Sequence, residues 1–148
     1  MTLSGTYTRS LDEKQRLAVP KRVCEDFNEP DLKNLFVAPG TEKSLVLYSP
    51  AGFEKLARKT ARQSSNNVEV RNYKRLFYSR AEKVELDAQG RIRLPERLVE
   101  FAGLSRDVVL VGVHDHAEIW DAAAWERFLN ATSPAFDEIA TRAFETIP

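Results

Sequence analysis

Cysteine, histidine and long apolar runs are the scarcest features of this 148-residue chain, which holds one Cys (Cys24) and two His (His114, His116). A single thiol excludes an internal disulfide framework and fits a reducing cytosol. On the apolar face of a short helix, Cys24 reads as a buried, inert thiol. Two histidines flanking Asp115 supply too few ligands for a zinc site, and "HDH" reads as a tight turn, so no metal is expected. No apolar stretch approaches the roughly 18 residues that suggest a membrane span. The opening "MTLSGTYTRS" lacks the basic start and apolar run of a secretory leader. The expectation is a cytoplasmic protein without a membrane partner.

Catalytic signatures are missing too. No P-loop, Gly-x-Ser-x-Gly or Gly-rich dinucleotide turn is present, and no spacing pairs the carboxylates. Neither an enzyme nor a cofactor is expected. Net charge is zero, with 22 Lys/Arg against 22 Asp/Glu, which argues against a strong nonspecific polyanion binder. The balance is uneven along the chain, however. Residues 1–80 hold 15 basic and 9 acidic residues, net +6; residues 81–148 hold 7 and 13, net −6. Such a chain can present a basic face or make a head-to-tail contact between copies.

What is present is a phrase used twice. "LDEKQRLAVP" (Leu11 to Pro20) returns as "LDAQGRIRLP" (Leu86 to Pro95), 75 positions later, with Leu, Asp, Arg and Pro at matching places. Two copies of one structural unit follow from this. "GTYTRSL" and "AEKVEL" alternate like half-buried strands and precede an Asp-led turn, and "RLAVP" or "RIRLP" follows it, predicting a β-hairpin in each copy. Asp12 and Asp87 accept backbone N–H bonds two residues on and fix the bend. Gly90 tolerates positive φ; Gln15 stands in its place in the first copy, which predicts a turn strained by roughly 1 kcal/mol or differently shaped.

Pro20 and Pro95 read as the first residues of helices, with Val23, Cys24 and Phe27, or Leu98, Val99, Phe101 and Ala102, at helical spacing and Gly103 as a stop. Strand pairs "NLFVA"/"SLVLYS" and "DVVLVGV"/"AEIW" follow. At an offset of 72, Tyr48 then matches Trp120, and Ser49 and Asp121 cap helices carrying Phe53 and Leu56, or Trp125 and Phe128. Asn66 should open a helix over "NNVEVRNYKRLFYSR", with Glu69 three residues on. Ser133 should cap a last helix striped with Phe136, Ile139, Ala140, Ala143 and Phe144. A repeat of roughly 45 residues buries too little apolar surface alone, so one fused globule with internal pseudo-two-fold symmetry is expected.

Through Asp12, Lys14, Arg16 and Pro20, then Asp87, Gly90, Arg91 and Pro95, the chain resembles the MraZ family of bacterial transcriptional regulators, built from two AbrB-like repeats. "AGL" at Ala102–Leu104, "VVLVGV" at Val108–Val113 and "EIWDAAAW" at Glu118–Trp125 support the likeness, which runs from Gly5 through the helix holding Trp125. Gln15 departs from the family's Gly, and Leu3 stands two before Gly5, where an early aromatic is frequent. The resemblance implies an α+β fold: two fused AbrB-like swapped-hairpin β-barrel repeats with flanking helices. It divides the chain into a first repeat (5–50), a helical connector (51–80), a second repeat (81–124) and C-terminal helices (125–148). It further implies a ring-like homo-oligomer larger than a dimer, associated with the nucleoid. Such a protein would bind double-stranded DNA at repeated sites upstream of the division and cell-wall gene cluster, as a repressor. The family's DNA contacts carry over onto Arg16 and Arg91.

Each site has a plainer reading. Arg16 and Arg91 could merely pair with Asp12 and Asp87 and stiffen the turns. Repetition, and the neighbouring cations Arg9, Lys14, Arg22, Arg93 and Arg97, favour DNA, because a guanidinium holds phosphate or the guanine O6/N7 edge bidentately. Lys14 beside Arg16, against neutral Gln89 beside Arg91, predicts that the first turn carries more of the attraction. "RKTARQSSNNVEVRNYKR", opposed only by Glu69, reads as a solvated helix pair before a phosphate track. Trp120 and Trp125 read as core or subunit contact. The competing function is a protein-interaction module resembling the AbrB-fold antitoxins.

Overall fold

Each repeat supplies strand, loop, strand, helix and a further strand pair, yet every one of these strands finds a partner in the other repeat. The computed structural model describes residues 2–145. In chain order the elements are β1 (Thr6–Ser10), β2 (Arg16–Ala18), α1 (Lys21–Asp26), β3 (Asn34–Pro39), β4 (Leu45–Tyr48), α2 (Pro50–Ala61) and α3 (Val68–Arg80). The second half holds β5 (Glu82–Glu85), β6 (Arg91–Arg93), α4 (Glu96–Phe101), β7 (Asp107–Gly112), β8 (Ala117–Asp121), α5 (Ala122–Thr132), a 3-10 turn (Ser133–Ala135) and α6 (Phe136–Phe144). The architecture is mixed α and β, with every strand pairing antiparallel.

A six-stranded sheet runs β1-β7-β8-β4-β3-β5, and β2 pairs with β6 as a separate ribbon. The hairpins expected within each copy are therefore not ladders: β1 pairs with β7, β5 with β3, and β2 with β6. Alternation marks a strand with one buried face but carries no information about which strand covers its edge. Exchanging β1 with β5, β7 with β3 and β8 with β4 returns the same sheet order. The central register agrees with this: Leu45 faces Ile119 and Leu47 faces Ala117.

One apolar core serves both repeats. Leu17 and Ile92 face each other across the ribbon at 0% exposure, and join Leu35, Val37, Leu45, Leu47, Leu110 and Ile119, all equally buried. Val23 and Phe27 seal it from the first repeat, Leu98 and Val99 from the second. Truncating Ile92 to Ala would cost about 2–5 kcal/mol, because both repeats close around it.

The connector helices dock through aromatics: Phe53 of α2 stacks on Phe36 of β3 at 4.4 Å, and Phe77 of α3 lies 6.3 Å from Phe53. Thr60 Oγ1 and the Tyr78 hydroxyl, 2.6 Å apart, tie the two helices together. Ser49 caps α2 as expected, its Oγ accepting the Gly52 N–H at 3.0 Å. The α3 cap is Asn67 rather than Asn66; its Oδ1 accepts the N–H groups of Glu69 and Val70, while the Asn66 N–H turns back to Ser64 Oγ. Pro20 and Pro95 sit one residue earlier than expected, at the cap positions, with extended ψ near 137° and 138°. Gly103 ends α4 at φ +59°, where its N–H and that of Leu104 close onto Glu100 and Val99.

Two further expectations give way. Asp121 occupies the α5 cap position but makes no side-chain cap bond; its Oδ1 accepts the N–H and hydroxyl of Ser105 at 3.0 and 2.6 Å, while the Ala123 and Ala124 N–H groups still favour its ionised form. Ser133 does not cap the last helix; it ends α5 and opens the 3-10 turn, since Pro134 steers the chain directly from one helix to the next. The apolar run "VVLVGV" forms β7 and its exit: β1 and β8 flank the strand, which buries Val108, Val109 and Leu110, while Val113 beyond it is exposed. The C-terminal stretch expected to residue 148 runs beyond the described residues; α6 ends at Phe144.

Two glycines serve different ends. A Cβ on Gly112 would stand 2.4 Å from the Ser4 N and 2.7 Å from the Leu3 carbonyl carbon, where the N-terminal segment crosses β7. A Cβ on Gly90 would meet nothing within 4 Å, so only its φ of +76° resists substitution. Gly90→Ala should therefore cost about 1–2 kcal/mol from backbone strain alone, and Gly112→Ala clearly more. Urea denaturation measures both; equal losses would contradict this division.

Candidate nucleic-acid interface

The two Asp-led loops have the same internal bonding. Asp12 Oδ1 accepts the N–H groups of Lys14 (2.9 Å) and Arg16 (2.8 Å), and Oδ2 accepts Arg16 Nε at 2.6 Å. Asp87 repeats this with Gln89 (2.9 Å), Arg91 (2.9 Å) and Arg91 Nε (2.8 Å). Each carboxylate thus spends both oxygens on holding one five-residue loop. The ion pair of the plainer reading exists, and it engages only Nε. The terminal amino groups of Arg16 and Arg91 make no hydrogen bond among the described residues, and about a third of each side chain is exposed.

Gln15 adopts φ +61°, close to the +76° of Gly90, so the first loop keeps the shape of the second and bears the strain. That left-handed step turns the Gln15 carbonyl toward the other repeat, where it accepts the Leu94 N–H at 2.9 Å. The Gly90 carbonyl accepts the Val19 N–H at 3.0 Å in the same way. Each loop is thereby fastened to the residue that follows the opposite strand, one loop at each end of the ribbon.

Between those bonds, Arg16 faces Arg93, Leu17 faces Ile92 and Ala18 faces Arg91. Because successive side chains alternate faces, burying Leu17 and Ile92 turns Arg16, Arg91 and Arg93 to the outer face. Like charges directly opposite across two strands are unfavourable, so the Arg16/Arg93 pair is a place where an anion gains. Lys14 lies exposed in the first loop beside it. The second strand's counterpart of Ala18 is Arg93, so cationic weight gathers at the Arg16 end.

The other predicted cations lie elsewhere. Arg9 is on β1 and donates to the Thr8 carbonyl at 2.8 Å. Arg22 is on α1, 3.9 Å from Asp26, and Arg97 is engaged by Glu82 and the Ser79 carbonyl. The cross-strand meeting of Arg16 and Arg93 was missed in the sequence, although Arg-x-Arg at positions 91–93 is the period-2 signal that places both cations on one face.

Among the described residues no cluster of three or more metal-ligating side chains occurs. His114 turns the chain at φ +70°, and His116 Nδ1 lies 2.7 Å from Asp115 Oδ1, with Nε2 3.9 Å from Glu118. Burial opposes protonation of His116, but Glu118 and Asp115 outweigh it and hold its pKa above the ordinary imidazole value. His116 stacks on Tyr48, whose pKa burial and the nearby Asp115 charge push up to about 12. Cys24 is half-buried rather than buried, with burial raising its thiol pKa. Trp120 is buried at 5% exposure against Trp125 and Phe128, as core.

Both loop carboxylates are held below the ordinary aspartate pKa, first by the backbone N–H of Arg16 or Arg91, then, against partial desolvation, by the guanidinium. A depressed pKa means the ionised loop favours folding above the unfolded carboxylate value, about 4, and loses that effect as pH falls through the lower folded value. Carboxyl NMR titration should show Asp12 and Asp87 titrating below the ordinary aspartate value. Asp12→Asn should destabilise at pH 7 and converge on the wild type in strong acid. An ordinary titration at either position would contradict the bonding described.

A family model described as "MraZ protein", antitoxin-like, matches residues 2–76 and again 77–147. A protein of Kineococcus radiotolerans named "Transcriptional regulator MraZ" is 35% identical over 144 residues, covering 97% of this chain and 96% of its own. Proteins of the same name from a Mycobacterium species (strain KMS) and from Methylococcus capsulatus are 39% and 40% identical, covering 89% and 83% of this chain and 90% and 81% of theirs. The solution structure of PHS018 from Pyrococcus horikoshii aligns with a TM-score of 0.35 and 8% identity over 78% of this chain and 96% of its own, a likeness too slight to define the fold. With both of its repeats matched and its relatives aligned along most of their length, the chain belongs to the MraZ family of transcriptional regulators.

Proposed function

We propose that the outer face of the β2–β6 ribbon binds double-stranded DNA and that the chain is a sequence-specific regulator, acting as a repressor. The observation that carries this is the grouping of Arg16, Arg91 and Arg93 on one face, with Arg16 directly opposite Arg93. A two-stranded ribbon is narrow enough for the major groove, where a guanidinium reaches guanine O6/N7 or a phosphate. Asp12 and Asp87 occupy each Nε and leave the outer edge of the fork for the nucleic acid. The exchanged pairing of β1, β5 and the ribbon supports reading the fold as the AbrB-like swapped-hairpin barrel with pseudo-two-fold symmetry.

A neutral chain with one small ribbon has little background attraction to DNA. Affinity then comes from several ribbons engaging neighbouring sites together, as a homo-oligomer larger than a dimer would allow. Direct repeats spaced by about one helical turn, roughly 10 bp, present the same groove to successive subunits. Sites of this kind upstream of the division and cell-wall gene cluster are the target that the family resemblance supports.

Titration of the protein onto its own upstream DNA tests the reading. Arg16→Ala, Arg91→Ala and Arg93→Ala should each weaken binding with the fold intact. Loss of a guanine contact costs about 1–3 kcal/mol and relaxes preference at one base; loss of a phosphate contact weakens all sequences alike and lowers the salt slope by about one. The Arg16 and Arg93 variants should lose more salt slope than the Arg91 variant, because Lys14 and the cross-strand pair concentrate charge there. Unchanged affinity in the Arg16/Arg91 double variant would overturn the assignment.

A further inference from the structure

The +6 surplus of the first 80 residues has a single address. Residues 1–49 hold seven basic and seven acidic side chains, whereas residues 50–80, the α2–α3 connector, hold eight and two. Among the described residues none of those eight cations lies within 4.0 Å of an acidic oxygen. The acids of the region are Glu54 on α2, Glu69 on α3 and Glu29, whose Oε1 accepts the Ala51 N–H at the start of α2. Asp115 and Glu118 flank His116 beside the cavity that Arg80 borders.

On α2 the cations form a row. Lys55, Arg58, Lys59 and Arg62 stand at i, i+3, i+4 and i+7, all exposed. Phe53, Leu56 and Thr60 turn the other face of the helix to β3, the cavity and α3. Arg71 and Lys74 of α3 reach back to the carbonyls of Ser65 (2.7 Å) and Gln63 (3.5 Å), which brings further charge to the same end of the pair. The row also faces away from the ribbon. Phe36, on which Phe53 stacks, alternates with Leu35 and Val37, and those two share the core with Leu17 and Ile92. The helix pair therefore lies across the sheet from Arg16, Arg91 and Arg93.

We propose that the outer face of α2 and the tip of the connector bind the phosphate backbone of a second nucleic-acid duplex, without sequence preference, while the ribbon holds the first. A solvated helix pair accounts for the exposure but not for unpaired charge of one sign. The helix C-terminus favours cations in its last turn, and Lys55 lies before that turn. Cations recur about once per turn, roughly 5.4 Å, against a duplex that presents one phosphate per about 1.7 Å of its axis. The row thus meets phosphates in any register. A lipid surface fits less well, because interfacial helices bury an apolar face and no large apolar side chain is exposed on α2. The row supplies the background attraction that one small ribbon lacks, and it does not depend on what the ribbon binds.

A duplex of random sequence, titrated with the full chain across a salt series, is the probe, with circular dichroism confirming that each variant folds. Lys55→Gln/Arg58→Gln/Arg62→Gln should lose about tenfold or more in affinity at low salt, and its salt slope should fall by about three, roughly 0.9 for each phosphate contact removed. Each single Gln variant should lose about one, so the reading does not hang on the triple variant. Exchanging the cations, as Lys55→Arg/Arg58→Lys/Arg62→Lys, should keep both quantities. The Arg16/Arg91 double variant should still bind the random duplex. With its own upstream DNA fixed to a surface, the wild type should recruit a labelled random duplex; the triple Gln variant should bind the fixed DNA with the same base preference and recruit clearly less. Wild-type affinity and slope in the triple Gln variant would overturn the proposal and leave the ribbon assignment standing. So would a lower mass by light scattering with duplex affinity unchanged, which assigns the row to contact between copies. Binding to phosphatidylglycerol vesicles that the triple variant loses while keeping its duplex affinity would assign the row to anionic lipid instead.

Discussion

A three-residue pairing, Arg16–Ala18 against Arg91–Arg93, is the constraint on which the rest of the molecule depends. Its inward side buries Leu17 against Ile92 at the centre of a shared core, and its ends are closed by carbonyls from the opposite loops. Those carbonyls point across only because Gln15 and Gly90 take left-handed angles, and the loops hold those angles because Asp12 and Asp87 bond to their own backbones. Burial, loop geometry and the outward display of arginines are therefore one arrangement. The apolar side of the ribbon fixes where its cationic side must point.

Local chemistry was readable in the sequence wherever one residue decides the outcome. The Asp-led loops, the Ser49 cap and the Gly103 stop each rest on a side chain or a φ preference within a few positions, and they stand as read. Neighbouring candidates with the same chemistry were not separable: Asn66 and Asn67 are both good caps, and Asn67 takes the role, its Oδ1 accepting the N–H groups of Glu69 and Val70. At Asp121 a partner distant in sequence intervenes, because Ser105 donates both its N–H and its hydroxyl to the Oδ1.

Strand partnership was the least legible feature. β1 and β2 adjoin in sequence across a tight loop, which normally means a hairpin, yet both pair with the second repeat. Nothing in a period-2 pattern specifies the edge partner. The candidate interface inherited that gap: Asp-x-x-x-Arg was visible twice, but the meeting of Arg16 with Arg93 exists only once the ribbon is formed across repeats. Arg9 and Arg22, close in sequence to the first loop, belong to other elements for the same reason.

The exchanged strands also alter what it means for this chain to be continuous. β1 is an edge strand beside β7, and β5 is an edge strand beside β3, so each half contributes the outermost strand of the other half's portion of the sheet. The peptide linking α2 to α3, exposed from Ala61 through Asn67, holds no core residue. A protease nick there would cut the covalent tie and leave two pieces still clasped through four separate ladders and the packing of Phe77 on Phe53. The linker acts as a leash that raises the local concentration of one half near the other, and the clasp itself is built from strands that neither half keeps to itself.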